Sequence, residues 1–391
     1  MRIIKTILKD LTFCFINLLV GFFGLFIPKS KRIVIFGSWF GQRFADNSKA
    51  LFLQLQNDNR FKKVIWITKN KDVLKEVRGL GFKAYYSRSL KSVWYHYRAK
   101  THIVDQEAKD LNRFFSIRAR KLNLYHGIIA LKKVGIYASK TSLSPFQIKL
   151  KKAGLFSPGC WANNYYLSTS QFGGEKLTQS FLLKKNHIVY ASYPRHKFEA
   201  SSKPKFLEIA NGKKVFFYLP TFRNNNQLDI NQFLKNMNDF CLANDCYFAY
   251  KPHFVEKIET DKNNLERIIL IDKKIDVNDI LPFFDVLITD YSSVCWDAIA
   301  LKKTTLFFSY DLDTYLSEDR GFYCDYPKTI PQEFLLKTEN DLVNKMQEIA
   351  KCSGDYFEKN GKSLYECASK FNEFIDNYNI EPIINFILGK K

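Results

Sequence analysis

The sequence predicts an α/β protein of two Rossmann-like domains that face one another across a cleft, preceded by an apolar helix. Three observations predict this: a charge-free apolar run near the N-terminus, short apolar runs alternating with helical stretches from residue 30, and a second such series after residue 205. Because alternating strands and helices build mostly parallel sheets covered on both faces, each series predicts one sheet. The predicted domains are residues 1–29, 30–205 and 206–391, and a chain of 391 residues suits two large domains.

The N-terminal run extends from Leu11 to Ile27, with Lys or Arg on both sides. It is short for a bilayer span, which needs about 20 apolar residues. We therefore expect a helix in the membrane interface, its cationic flanks toward anionic head groups. A single span and a signal peptide are the alternatives.

Each predicted strand is a short apolar run, and each predicted helix shows helical periodicity. In the first series the strands are Arg32–Gly37, Lys63–Thr68, Phe82–Tyr86, Thr101–Val104 and Leu122–Tyr125, and the helices are Asn47–Gln56 and Lys71–Leu80. In the second series the strands are Lys214–Leu219, Tyr247–Tyr250, Ile268–Ile271, Val286–Thr289 and Thr305–Phe308, with a helix at Ile230–Asn244 and closing helices within Tyr365–Leu388.

The formal charge of +21 is concentrated in one stretch. Between Leu111 and Phe198 there are fifteen Lys or Arg residues and one acid, Glu175. Such a stretch indicates a polyanionic partner, either an anionic membrane surface or a phosphate-rich substrate; a solvated lysine face is the alternative. Nucleic acid ranks lower, because no zinc-finger, helix-turn-helix or RNA-recognition signature occurs.

The absence of several well-known catalytic and nucleotide-binding motifs argues against several classes of enzyme. The sequence has no GxGxxG, P-loop, GxSxG or HExxH pattern, which argues against dehydrogenases, P-loop kinases, serine hydrolases and zinc proteases. Eight cysteines occur without a CxxC pair, and no histidine cluster accompanies them. We expect reduced thiols and no metal site.

Polar residues follow four of the predicted strands, where α/β sheets form their active sites. They are His126-Gly127, Pro220–Arg223, Lys251-Pro252-His253 and Asp290–Ser293. Ser292 and Ser293 precede a predicted helix, Val294–Leu301, whose free N–H groups favour a phosphate; simple N-capping is the alternative. His126 is a candidate general base, with a core histidine as the alternative.

The ordered set of motifs resembles the CDP-glycerol glycerophosphotransferase family, which includes teichoic acid primases and polymerases and related capsule enzymes. The matching segments are Asp46–Leu51, His126-Gly127 with Leu131–Lys133, Ser192–Arg195, Pro220–Arg223, Lys251–His253, Thr289–Ser293 with Asp297, and Arg320–Tyr323 with Asp325-Tyr326. The sequence differs from the family where Ile128–Ala130 follows His126-Gly127 and where His196-Lys197 follows Arg195. Both differences fall in the acceptor half.

The resemblance implies a GT-B-like fold and transfer of glycerol phosphate from CDP-glycerol to a hydroxyl of a lipid-linked saccharide or growing polymer, with release of CMP and no cofactor. It also implies a peripheral or monotopic place on the cytoplasmic face of the membrane. His126 then falls on the family's general base and His253 on its second essential histidine. The implied donor or phosphate-binding residues are Thr221, Arg223, Lys251, Asp290, Ser292, Ser293, Asp297 and Arg195.

Three alternatives remain open at this point. One is a ribitol-phosphate transferase of the same family, and another is a GT-B glycosyltransferase that uses a nucleotide sugar. The third is a basic adaptor without enzymatic activity.

Overall fold

The computed structural model describes residues 22–116, 118–138, 164–197, 203–221, 223, 228–252, 265–318 and 321–390. Most of the predicted N-terminal helix lies outside these residues. Contacts divide the chain into two units. The first takes the described residues up to Ile128, those from 164 to 197, and those from Asp376 onward; the second takes Ile129 to 138 and the described residues from 203 to Ile375. Residues 129–138 thus belong to the second unit and residues 376–390 to the first, so contacts do not divide the chain at one boundary after residue 205.

The first unit contains a seven-stranded parallel sheet in the order β3-β2-β1-β4-β5-β6-β7. Its strands are β1 (Ser30–Phe36), β2 (Lys63–Thr68), β3 (Ala84–Tyr86), β4 (Ala99–Val104), β5 (Arg120–Asn123), β6 (Asn164–Ser168) and β7 (Ile188–Tyr190). Its helices are α1 (Asp46–Gln54), α2 (Lys71–Gly79), α3 (Leu90–Arg98), α4 (Gln171–Phe181) and a C-terminal helix (Glu381–Leu388). The strand order changes direction between β1 and β4, as in the doubly wound sheets of Rossmann folds.

Local chemistry explains where these helices begin. The side chains of Asn70, Ser89 and Ser170 precede α2, α3 and α4 and accept backbone N–H groups of the first turn. Such caps satisfy donors that have no partner inside the helix. The strands are apolar because both faces of the sheet are covered, and Val34, Ile35 and Phe36 of β1 are fully buried.

The second unit contains a six-stranded parallel sheet in the order β10-β9-β8-β11-β12-β13. Its strands are β8 (Val215–Tyr218), β9 (Tyr247–Tyr250), β10 (Ile268–Leu270), β11 (Val286–Thr289), β12 (Thr304–Phe308) and β13 (Leu335–Leu336). Its helices are α5 (Ile230–Ala243), α6 (Val277–Ile280), α7 (Val294–Ala300), α8 (Leu312–Glu318), α9 (Tyr326–Thr329), α10 (Glu339–Lys351), α11 (Tyr356–Asn360) and α12 (Lys362–Ser369).

The predicted α/β class with parallel sheets is confirmed in both units. Strands β2, β9 and β11 have the predicted bounds, whereas β6, β7 and β13 were not predicted. Within the described part of the chain, no helix combines the length and apolarity needed to cross a membrane. The six described cysteines are free thiols. A cleft between the domains stays a prediction.

Candidate active site

In the first unit, the loop Tyr125–Gly127 presents the His126 side chain. Strand β5 ends at Asn123, whose Oδ1 accepts the N–H of Tyr125 at 2.8 Å, and Tyr125 has a left-handed φ of 58°. The His126 side chain is exposed, its ring stacked on Tyr125 at 4.6 Å and 6.2 Å from the ring of Trp39. His126 is therefore a surface histidine rather than the core histidine of the alternative.

Three side chains hold the backbone of this loop. Its carbonyl oxygens accept in turn from Asn47 Nδ2 at 2.8 Å, Arg195 Nη1 at 3.2 Å and Tyr193 Oη at 2.8 Å. These donors come from two of the sequence motifs, at the start of α1 and after β7. The two motifs thus position the His126 loop, a role that the sequence did not predict for them.

Arg195 has protein partners that the sequence did not reveal. Its guanidinium forms an ion pair with Asp46, and both side chains are only 4% exposed. Asp46 has a φ of 66°, and its Oδ1 accepts the N–H of Asn47 at 2.9 Å. Arg195 therefore links buried Asp46 to the His126 loop, and its predicted contact with a phosphate stays a prediction.

In the second unit, three predicted residues lie at one edge of the sheet. Thr221 follows β8, Lys251 follows β9 and Asp290 follows β11, and β9, β8 and β11 are neighbouring strands. Lys251 is buried, and its Nζ donates to the carbonyl oxygen of Asp272 at 2.9 Å. The convergence expected for these strand ends is present.

Arg223 is buried between two carboxylates. Its Nε and Nη2 donate to the two oxygens of Asp311 at 2.7 and 2.9 Å, and its Nη1 donates to Asp290 and to the carbonyl oxygen of Thr221. Burial alone would lower the pKa of Arg223, but Asp290 and Asp311 outweigh it and raise the pKa. Arg223 therefore supports the Thr221 segment, and Asp311, after β12, is a site residue that the sequence did not reveal.

Asp290 organises the same edge. Its carboxylate accepts the N–H of Thr221 at 3.0 and 3.1 Å and the N–H of Tyr291. Burial would raise the pKa of Asp290, but Arg223, the Thr221 side chain and Lys132 together hold it below its usual value. Asp290 is thus an ionised internal acceptor that fixes the backbone around the strand ends.

Ser292 and Ser293 lie immediately before α7. Ser293 makes no side-chain cap, and the Val294 N–H reaches Ser292 Oγ only at 3.5 Å. Neither serine therefore forms a short N-cap hydrogen bond. Both residues are half-buried and lie directly before a helix start, whose N–H groups favour an anion. Asp297 is buried within α7.

Lys132 joins this edge, although it precedes β6 in the chain. Residue 132 pairs antiparallel with Phe322, and Tyr323 N donates to the carbonyl oxygen of Leu131 at 2.7 Å, which fixes the segment in the second unit. Lys132 Nζ then donates to Thr221 Oγ1 at 3.2 Å. The sequence indicated Lys132 only as part of the Leu131–Lys133 motif and did not predict its contact with Thr221.

His253 lies outside the described residues, so its predicted role stays a prediction. Among the residues that the structure describes, no group of three His, Cys, Asp or Glu side chains is arranged to hold a metal ion.

Comparison with known proteins identifies the family. The family model of CDP-glycerol:poly(glycerophosphate) glycerophosphotransferases matches residues 20–389. The chain belongs to this family. It is 25% identical over 347 residues to the teichoic acid glycerol-phosphate transferase of Staphylococcus aureus (strain NCTC 8325 / PS 47), covering 84% of this chain and 87% of that protein. It is 27% identical over 346 residues to the teichoic acid poly(glycerol phosphate) polymerase of Bacillus spizizenii (strain ATCC 23059 / NRRL B-14472 / W23), covering 80% of this chain and 82% of that protein.

The fold is shared with a solved member. A structure of a variant of the wall teichoic acid polymerase TagF aligns with a TM-score of 0.72 at 20% identity, over 99% of this chain and 96% of that one. At this identity the likeness shows the fold alone. The family match makes the glycosyltransferase and adaptor alternatives weaker than the glycerophosphotransferase prediction.

Proposed function

We propose that this glycerophosphotransferase moves glycerol phosphate from CDP-glycerol to a hydroxyl of a lipid-linked saccharide or growing polymer and releases CMP. The observation that carries the proposal is the set of strand ends in the second unit, where Thr221, Lys251 and Asp290–Ser293 meet on a chain of this family. Both relatives described above carry glycerol phosphate in their names, which favours glycerol over ribitol as the transferred alditol.

The second unit binds the donor in this proposal. The diphosphate of CDP-glycerol is anionic, and Lys132, Lys251, the two serine hydroxyls and the N–H groups at the start of α7 are groups that attract phosphate oxygens. Arg223 and Asp290 hold the backbone that carries these groups, while Asp311 accepts from the side chains of Arg223 and Tyr291. The charge that builds up on the departing CMP is stabilised by the same cations.

The first unit supplies the base. The acceptor hydroxyl attacks the phosphorus that bears glycerol and gives its proton to the imidazole of His126. A bond forms between the acceptor oxygen and phosphorus, while the phosphoanhydride bond breaks and its bridging oxygen leaves with CMP. His253 is proposed to act on the phosphates or the leaving group. The proposal includes no cofactor.

We also propose association with an anionic membrane surface on the side where CDP-glycerol is available, the cytoplasmic face. At the start of the described residues, Phe22, Phe23, Leu25 and Phe26 are each more than half exposed, by 56–74%. Exposed aromatic side chains next to Lys29, Lys31 and Arg32 suit the boundary between head groups and acyl chains.

The decisive test compares donors and one variant. Purified protein is offered CDP-glycerol, CDP-ribitol and a panel of nucleotide sugars with a lipid-linked acceptor, and CMP release and product mass are measured. We expect CMP and a mass increase of one glycerol phosphate with CDP-glycerol. His126→Ala should abolish transfer, because the proposed base is lost. It should still bind CDP-glycerol normally, because the exposed His126 side chain contributes little to the fold. His187→Ala, which changes another histidine of the first unit, is the control.

Release of UDP or GDP in place of CMP would replace the proposal with the glycosyltransferase alternative. A preference for CDP-ribitol would support the ribitol alternative, and normal transfer by His126→Ala would remove the base assignment.

A further inference from the structure

A groove of about 580 Å³ lies in the first unit, at the carboxyl ends of β2 and β3. Lys69 follows β2, Tyr86 ends β3 and Arg88 follows it, while Lys109 and Phe114 contribute from the segment after β4. The carboxyl edge of a parallel sheet is where α/β proteins bind ligands. None of the roles proposed above uses this groove.

The groove is basic. Lys69, Arg88 and Lys109 line it, and no Asp or Glu is among its described lining residues. Lys69 Nζ donates to the carbonyl oxygen of Phe40 at 3.0 Å, which fixes this cation at the groove. Arg88 is exposed and pairs with no carboxylate of the described residues. The groove is therefore suited to an anion.

Lys109 can exchange its partner for a ligand. It pairs with Glu107 at 2.7 Å, but the two side chains are 52% and 29% exposed. Ion pairs this exposed contribute little to stability, so a phosphate oxygen can replace Glu107 at small cost. Two of the three cations, Arg88 and Lys109, are thus accessible for a charged ligand.

The groove is also aromatic. Phe40, Tyr86 and Phe114 also line the groove. Their apolar faces suit the carbon skeleton of an alditol or a saccharide, while the cations suit the phosphates between such units. This mixture of chemistries matches a chain of phosphate esters better than an isolated inorganic anion.

One loop joins the groove to His126. Trp39, whose ring lies 6.2 Å from the His126 ring, is followed directly by Phe40 of the groove. Both residues have a left-handed φ, 45° and 58°, which is uncommon for residues with a side chain. The buried carboxylate of Asp110 holds this conformation, because its Oδ1 accepts the Phe40 N–H at 2.7 Å. The Trp39-Phe40 loop therefore borders both the groove and the His126 ring.

We propose that this groove is a subsite for phosphate groups of the acceptor, which places them beside the hydroxyl that His126 deprotonates. The proposal rests on the proposed function, since it assigns part of the acceptor to the same reaction. The phosphate has two sources, the phosphodiesters of a growing poly(glycerol phosphate) chain and the diphosphate that links a saccharide to its lipid.

The test measures binding by the full chain without CDP-glycerol. The double variant Arg88→Gln/Lys109→Gln is compared with wild type for two probes, a synthetic glycerol-phosphate oligomer and a short-chain lipid diphosphate saccharide. We expect the Kd of at least one probe to rise by about tenfold, because two charge-assisted contacts are lost. The Kd of CDP-glycerol should not change. Lys62→Gln/Lys75→Gln removes the same charge from exposed positions of the first unit outside the groove and is the matched control.

The outcomes separate the sources and the two proposals. Weaker binding of the oligomer alone assigns the groove to the polymer, and weaker binding of the lipid diphosphate alone assigns it to the lipid carrier. If wild type binds neither probe, if neither Kd changes by more than about twofold, or if the control pair weakens binding equally, the subsite is refuted. Wild type that binds a probe in the groove but transfers no glycerol phosphate would instead refute the proposed function.

Discussion

Replacing Arg195 by Met tests whether this residue supports the His126 loop or binds a phosphate. The change leaves the Asp46 carboxylate buried without its cation and removes the hydrogen bond to the His126 carbonyl oxygen. Breaking one side of a buried ion pair costs about 3–5 kcal/mol, and Arg195 and Asp46 are each only 4% exposed. We expect the free energy of unfolding to fall by about that amount.

The expected effect on activity follows from the position of the loop. A shift of about 1 Å in a reacting group lowers turnover by about a hundredfold, so kcat should fall by roughly this factor. The Kd of CDP-glycerol should stay the same, because the proposed donor-binding residues belong to the second unit. Urea unfolding gives the stability, calorimetry gives the donor Kd, and CMP release gives kcat.

A double variant isolates the ion pair. Asp46→Asn/Arg195→Met removes both charges, and Asn tolerates the left-handed φ of residue 46. It should recover part of the stability that Arg195→Met loses, because no unpaired charge stays buried. If Arg195→Met instead keeps its stability and raises the Kd of CDP-glycerol by tenfold or more, Arg195 is a phosphate ligand and the support role is refuted.

Two further predictions concern Lys132 and the buried His96. Lys132→Met should raise the Kd of CDP-glycerol by about tenfold, through loss of one cation beside Thr221, whereas Lys133→Met should not; equal effects would remove the specific role. Burial lowers the pKa of His96 to about 4, below the value of about 6.5 in an unfolded chain, so the unfolded state alone gains this proton as pH falls from 7 to 5. Relative to wild type, His96→Gln should therefore gain about 2 kcal/mol of stability between pH 7 and pH 5, measured by urea unfolding, and an unchanged difference would contradict this.

Local pattern predicted most of the fold. Strands such as β2, β9 and β11 are short apolar runs bounded by polar residues, and they occur at the predicted residues. Strand β6, Asn164–Ser168, escaped prediction because polar residues at both ends leave only three apolar residues between them, and β7 because it has only three residues. Such segments become strands by pairing with a neighbour rather than by their own periodicity.

The candidate site was predicted as a set of residues but not as a set of contacts. The rule that ligands meet strand ends placed Thr221, Lys251 and Asp290 together correctly. It gave no sign of the partner of Arg223, because Asp311 is 88 positions away in the chain. Nor did it place Lys132 beside Thr221. Lys132 follows strands of the first sheet in the chain, but its segment belongs to the second unit. Pairings at such separations leave no periodic trace in one sequence.

The two units support their functional backbone in the same way. In the first, Arg195 Nη1 donates both to Asp46 and to the carbonyl oxygen of His126; in the second, Arg223 Nη1 donates both to Asp290 and to the carbonyl oxygen of Thr221. A planar guanidinium meets a carboxylate and a carbonyl oxygen in fixed directions, which the single ammonium of lysine does not do. The arginines of these motifs are therefore explained by geometry as well as by charge. The His126 imidazole stays exposed at the surface, as its proposed role as a base requires.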